Sequence, residues 1–220
     1  MSKESLISSL VEEKTMLPFR TMRSGSHSFN GLRMDYPGMD TVVSLIKEII
    51  TKYRGKEFVR EKALDITRSI PKDPRTGHPN RRNFDAIAEA IHNWIVLNIE
   101  YVRDQNGIER IQTPDATLRL RTGDCDDMVI LGGVLLESLG VPPRIQLIGE
   151  GREFTHIYLD YLAAGQWKSF DPTLALYPGY DIPKENIKSE KTVSIERPKI
   201  PLEAKNRNLK RSSRSHFIHN

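Results

Sequence analysis

Thr122-Gly123-Asp124-Cys125-Asp126-Asp127-Met128-Val129-Ile130-Leu131-Gly132-Gly133-Val134-Leu135-Leu136-Glu137-Ser138-Leu139-Gly140-Val141-Pro142-Pro143 holds the one cysteine of a 220-residue chain. Met128, Leu131, Gly132, Leu135, Leu136 and Leu139 fall on one helical face, and Val129, Ile130 and Val134 cover much of the rest. A helix that is apolar nearly all round is a buried one. Gly140 supplies its C-terminal stop, and Pro142-Pro143 forbid continuation. Asp124 is a natural cap at the other end, so Cys125 opens the helix. The unpaired N–H groups and positive dipole end found there favour a thiolate and can hold an oxyanion. Asp124, Asp126 and Asp127 oppose this, because the dipole is worth only about 0.3–1 kcal/mol at typical sites. A nucleophilic Cys125 therefore needs a histidine close by. It also needs the Asp126 and Asp127 side chains turned away from the sulfur.

Upstream of this helix the pattern is helical. Val42, Val43, Ile46, Ile49 and Ile50 predict a helix from near Asp40, and a weaker one follows over about 57–70. Phe84, Ile87, Ala88, Ile91, Trp94, Ile95 and Ile99 form the clearest stripe, capped at Asn83. The segment 104–121 is polar, contains Pro114 and reads mostly as loop. Downstream the period falls to two, which predicts strands over 144–148, 154–161 and 166–170. Helices followed by strands imply an α+β domain. Residues 1–38, punctuated by Pro18, Gly25, Gly31, Pro37 and Gly38, read as an N-terminal arm with a short helix near Leu6 to Val11. The domain proper spans 39–183, and 184–220 reads as a basic, flexible tail.

The second strand carries His156 and the third ends at Asp171. A loop centred on Ala163-Ala164, of either two or four residues, sets His156 directly opposite Asp171, with Cβ atoms about 4.5–5.5 Å apart. A three-residue loop would put them on different faces. Ala-Ala is not a preferred turn pair, which favours the four-residue loop. A carboxylate that accepts from one imidazole nitrogen leaves the other for the thiol, the logic of a nucleophile–base–orienter triad. Pro172 restricts Asp171 to an extended backbone. Taken singly, each residue has a plainer reading. A lone cysteine at an apolar helix start is most often core, and Asp-Pro is commonly just a turn. The ordered combination points to chemistry. A metal site built on Cys125 and His156 would lack the usual short ligand spacing.

These residues also resemble a known family. Thr122-Gly123-Asp124-Cys125-Asp126-Asp127 and the helix behind it resemble the nucleophile segment of the transglutaminase-like superfamily. Thr155-His156-Ile157-Tyr158 resembles its histidine strand, and Trp167-Lys168-Ser169-Phe170-Asp171-Pro172-Thr173 its aspartate strand. Trp94-Ile95-Val96-Leu97-Asn98-Ile99-Glu100-Tyr101 is similar to the helix that commonly precedes the nucleophile. The likeness spans about 83–173. It implies an α+β, papain-like/transglutaminase-like core: N-terminal helices, with a buried nucleophile helix packed on an antiparallel sheet. It carries over Cys125, His156 and Asp171 as a catalytic triad. In some relatives an upstream tryptophan is a second oxyanion donor, which makes Trp94 the candidate here, with Gln112 the weaker one.

The fold alone does not choose the reaction. The first expectation is a cysteine-dependent amide hydrolase, acting on a protein or peptide substrate through a thioester. The alternatives are a crosslinking transglutaminase and an inactive structural or binding protein of a larger phage or bacterial assembly. No cofactor or metal is implied; a calcium loop of the EF-hand kind is lacking. Hydrophobic residues make up 38% of the chain and charged residues 28%, enough for a core with polar surroundings. No apolar run approaches the roughly 20 residues a membrane span needs. The N-terminus lacks the pattern of a secretory signal. A cytoplasmic protein, or one incorporated in a phage particle or other assembly, is the expectation. The net charge of +4 is concentrated in the tail, which ends Lys210-Arg211-Ser212-Ser213-Arg214 and suits an acidic partner or nucleic acid.

Overall fold

In the computed structural model, which describes residues 31–35, 38–75, 80, 83–104, 108–173, 177–180 and 183–196, the chain is built around its cysteine helix. The elements in order are β1 (Gly31–Asp35), α1 (Met39–Tyr53), α2 (Glu57–Ile66), α3 (Phe84–Asn98), β2 (Glu100–Tyr101), β3 (Ile108–Gln112) and α4 (Pro114–Leu120). Then come β4 (Thr122–Gly123), α5 (Cys125–Ser138), β5 (Pro143–Gly149), β6 (His156–Ala163), β7 (Gln166–Phe170) and β8 (Ser189–Ser194). The expected helix near Leu6 to Val11 and the basic cluster at 210–214 lie outside the described residues.

Every residue of α5 from Asp126 to Leu136 is buried. The apolar stripes of α1 (Val42, Val43, Ile46, Ile50), α2 (Val59, Ala63) and α3 (Ile87, Ala88, Ile91, Ile95) close over it. Burying one such Val, Leu or Ile side chain is worth roughly 1.5–3 kcal/mol, which is why these stripes settle where the helices face. Asp124 accepts from the N–H groups of Asp126 (3.1 Å) and Asp127 (3.4 Å), and Asp127 returns a bond to the Asp124 N–H, a capping box. Gly140, at φ 83°, ends the helix in a left-handed residue.

Two glycines let α5 sit between layers. A Cβ at Gly132 would stand 2.7 Å from Phe170 Cε1 of β7, and one at Gly133 would stand 2.7 Å from Ile50 Cδ1 of α1. The sheet is antiparallel, in the order β7-β6-β5-β8. Ile145, Leu147, Ile157, Leu159 and Phe170 on it are all buried in the common core. This is the expected helix-on-antiparallel-sheet architecture.

Four readings needed correction. Residues 31–35, placed in the arm, form β1 and pair with β3. The polar segment 104–121 contains that strand and α4; Pro114 does not interrupt a helix but starts one, at its first position. Residues 189–194, placed in the tail, form the edge strand β8 on β5. Its Ser-Glu-Lys-Thr-Val-Ser sequence is polar because most of it is exposed, so the apolar alternation that reveals half-buried strands is missing. The third correction leaves the domain running past residue 183. The fourth is the β6–β7 register, described with the site.

Candidate active site

Cys125 is the first residue of α5. It is placed by the capping box behind it and by a short parallel pairing of β2 with β4 (Tyr101 with Gly123) just before it. The thiol packs against the core, and its hydrogen bond goes to Asp126 Oδ1 at 3.7 Å, not to an imidazole, among the described residues. Asp126 thus does not turn away from the sulfur as expected. Asp127 does: its carboxylate accepts from the Gln112 backbone N–H (2.7 Å) and side-chain amide (2.6 Å).

Burial pushes the Cys125 thiol well above its ordinary range, and the carboxylates of Asp126, Asp124 and Asp171 push it further. The opposition expected from the aspartates outweighs the helix terminus. At an effective dielectric near 20, a charge 4 Å away contributes about 4 kcal/mol, more than the dipole supplies. Burial and these carboxylates therefore favour the thiol over the thiolate. The capping box takes the N–H groups of Asp124, Asp126 and Asp127, and Met128 N–H enters the helix on Asp124 O. Among the described residues, the Cys125 N–H of the first turn makes no such bond, so it is the backbone donor left for an oxyanion.

The β6–β7 turn is Ala164-Gly165, both with positive φ (51° and 80°), and Ala163 pairs with Gln166. Positive φ at both central residues is the two-residue hairpin turn whose twist matches the strands, and Gly165 supplies it. The register is therefore shifted by two from the expected one. Asp171 continues opposite Tyr158, and His156 is its diagonal neighbour rather than its direct partner. A shift of two keeps both side chains on one face, and the longer reach is bridged by the side chains. His156 Nε2 meets Asp171 Oδ2 at 2.6 Å. Asp171 is fully buried; its Oδ1 accepts from Thr173 N–H (2.9 Å) across Pro172. The His156 ring stacks on Tyr158 with centroids 6.0 Å apart.

The hairpin meets α5 in step with the helix. Gly132 faces Phe170 and Leu159, and Met128, one turn nearer the start, meets Thr173 Oγ1 at 3.6 Å. Cys125 lies one further turn on, about 4.5 Å along the axis. Continued, the β6–β7 register sets His156 level with residue 173, so the His156 end of the hairpin and the start of α5 lie at the same end of the core.

The two oxyanion candidates fare differently from expectation. Gln112 is buried, and its amide nitrogen donates to Asp127 Oδ2 (2.6 Å) and Thr122 O (3.1 Å). Both protons are committed, so it fastens β3 to α5 instead of serving an oxyanion. Trp94 sits with its indole between Lys62 (5.4 Å) and Arg121 (5.1 Å), as a half-buried cation–π contact. Two residues escaped the sequence reading. Tyr101, half-buried, has its phenol pushed up by burial and then by the Cys125 and Asp124 charges, which places it in the same electrostatic neighbourhood. His92, on α3, is buried and its Nε2 meets the Asp171 backbone carbonyl at 3.1 Å. Hydrophobic periodicity could not single it out, because it falls inside an apolar stripe. Among the described residues, no group of three His, Cys, Asp or Glu side chains is arranged to hold a metal ion.

Residues 74–172 match the family model of the transglutaminase-like superfamily. Similar solved structures include a candidate protease from Parabacteroides distasonis, with TM-score 0.51 and 14% identity, covering 78% of this chain and 34% of that one. A candidate cysteine protease from Cytophaga hutchinsonii has TM-score 0.42 and 17% identity, covering 77% of this chain and 64% of that one. Legionella pneumophila LapG has TM-score 0.43 and 14% identity, covering 81% and 99%. The chain thus spans less than two thirds of the first two, and at these identities the likeness is one of fold. A comparison with curated proteins finds no match.

Proposed function

We propose that the protein is a cysteine-dependent amide hydrolase, with Cys125 as nucleophile, His156 as base and Asp171 as orienter. The observation that carries this reading is the 2.6 Å bond between His156 Nε2 and buried Asp171, at the end of the core where α5 begins. With Nε2 held on the carboxylate, Nδ1 is the ring nitrogen left to serve the thiol. Nδ1 takes the Cys125 proton as sulfur attacks the amide carbonyl carbon, and the imidazolium is stabilised by Asp171. The carbonyl oxygen becomes an oxyanion beside the Cys125 N–H. Collapse breaks the C–N bond, His156 returns the proton to the departing amine, and a thioester remains. Water, deprotonated by His156, then releases the acid and restores the thiol.

The test is incubation with a glutamine- and lysine-containing protein and a fluorescent primary amine. The hydrolase reading predicts new carboxyl groups without amine incorporation, and no new carboxyl groups with Cys125→Ala. Incorporation of the amine would turn the assignment to a transglutaminase. Neither product, in folded protein, would favour the binding role.

A further inference from the structure

We infer that His92 is a positioning residue for this site, holding the Asp171 peptide so that its carboxylate stays aimed at His156. The inference rests on the triad reading above and adds a second histidine that the triad does not require.

Asp171 lies between the end of β7 and a proline. β7 ends at Phe170, and the next residue is Pro172, which has no N–H to anchor the chain. A carbonyl at such a point needs a partner from elsewhere when buried. His92 provides it across the layer, from α3, with Nε2 3.1 Å from the Asp171 carbonyl oxygen. A carbonyl only accepts, so the proton sits on Nε2. The ring is 1% exposed and stands edge-on to Phe170, with centroids 5.6 Å apart and planes at 89°. The same imidazole therefore clamps residues 170 and 171 together, the first by ring contact and the second by hydrogen bond.

A purely packing role does not account for the residue type. The neighbouring stripe positions are Ile87, Ala88, Ile91 and Ile95, and an aliphatic side chain would fill such a place without burying a ring that needs polar partners. On the far side of the same aspartate, Oδ2 bonds His156 at 2.6 Å and Oδ1 accepts from Thr173 N–H at 2.9 Å. Rotating the Asp171 peptide would swing the Cα–Cβ bond and disturb both. His92 sets that rotation, so it acts through Asp171 and touches no reacting atom.

Two variants separate hydrogen bonding from packing. His92→Phe keeps an aromatic ring against Phe170 and loses the donor. His92→Gln places an amide N–H near the position of Nε2 and restores it. The readouts are the pH profile of Cys125 alkylation by iodoacetamide, with His156→Ala as reference, and the downfield proton resonance of the His156 Nε2–H bonded to Asp171. The expected result is that His92→Phe lowers the His156-dependent alkylation about fivefold to tenfold, the range one hydrogen bond spans, and weakens or loses the downfield signal. His92→Gln is expected to recover both. A His92→Phe protein with the wild-type profile and signal overturns the inference, as does a folded His92→Gln protein no better than His92→Phe. A wild-type profile identical to that of His156→Ala would overturn the triad reading, while the downfield signal would still decide the positioning.

Discussion

Cys125 sits among carboxylates, and that has a measurable consequence. Burial first, then Asp126, Asp124 and Asp171, hold its thiol well above the ordinary range. Below its pKa the thiolate fraction rises tenfold per pH unit, so alkylation of the substrate-free protein should climb through pH 9 without levelling. Asp126 is the largest of the three charges and accepts the thiol's hydrogen bond at 3.7 Å. Asp126→Asn removes a charge that disfavours the thiolate. The expected outcome is an alkylation inflection moved to lower pH and a rate at pH 8 raised about threefold or more, given that one pKa unit is a factor of ten. An unchanged inflection would mean that the Asp126 charge does not act on the thiol. Asp127, by contrast, faces Gln112; burial, its largest cause, pushes its own carboxyl up to about 7, against the lowering by Gln112 and Asp124 donors.

At the scale of elements, the site depends on how closely β7 approaches α5. Gly132 permits a Phe170 ring atom where a Cβ would be 2.7 Å away, and Phe170 is fully buried. Gly132→Ala gains about 1 kcal/mol in helix propensity, but overpacking a filled core costs typically 1–3 kcal/mol. The expected outcome is a lower urea midpoint at unchanged m value, together with weaker His156-dependent alkylation because Phe170 adjoins Asp171. A variant as stable as the parent would show that the layers can part without loss. The β6–β7 hairpin shows what the sequence could and could not tell at this scale. A two- or four-residue loop placed His156 and Asp171 on one face, and the 2.6 Å bond between them agrees. The partner assignment missed by two, because Ala164 takes a left-handed conformation (φ 51°) that alanine rarely adopts, beside a Gly165 that readily does. Same-face arguments survive a shift of two; direct-pair arguments do not.

Across the whole molecule, the parts legible in the sequence were those whose burial is strongly patterned. The α5 helix, its Asp124 cap, its Gly140 stop and the α3 stripe announce themselves through apolar periodicity and end signals. The edge elements did not. β8 is too exposed to alternate, and β1 and β3 are a distant pairing, Gly31 to Gln112, that no local window contains. Gln112 and His92 were equally hidden: the first is defined by its bonds to Asp127 and Thr122, the second by a contact with Asp171 from another layer. Among the described residues, no helix is long and apolar enough to cross a membrane. On the proposed function, the helices and sheet bring three side chains from α5, β6 and the end of β7 to one end of the core.

The central claim is that His156 activates Cys125 for acyl transfer. The most direct measurement is a rapid-quench reaction with an activated acyl ester, read as intact mass. The account predicts a hydroxylamine-sensitive thioester on Cys125 in the native protein, formed about 10²–10⁴ times more slowly in His156→Ala. Equal rates of thioester formation in the two proteins would contradict it.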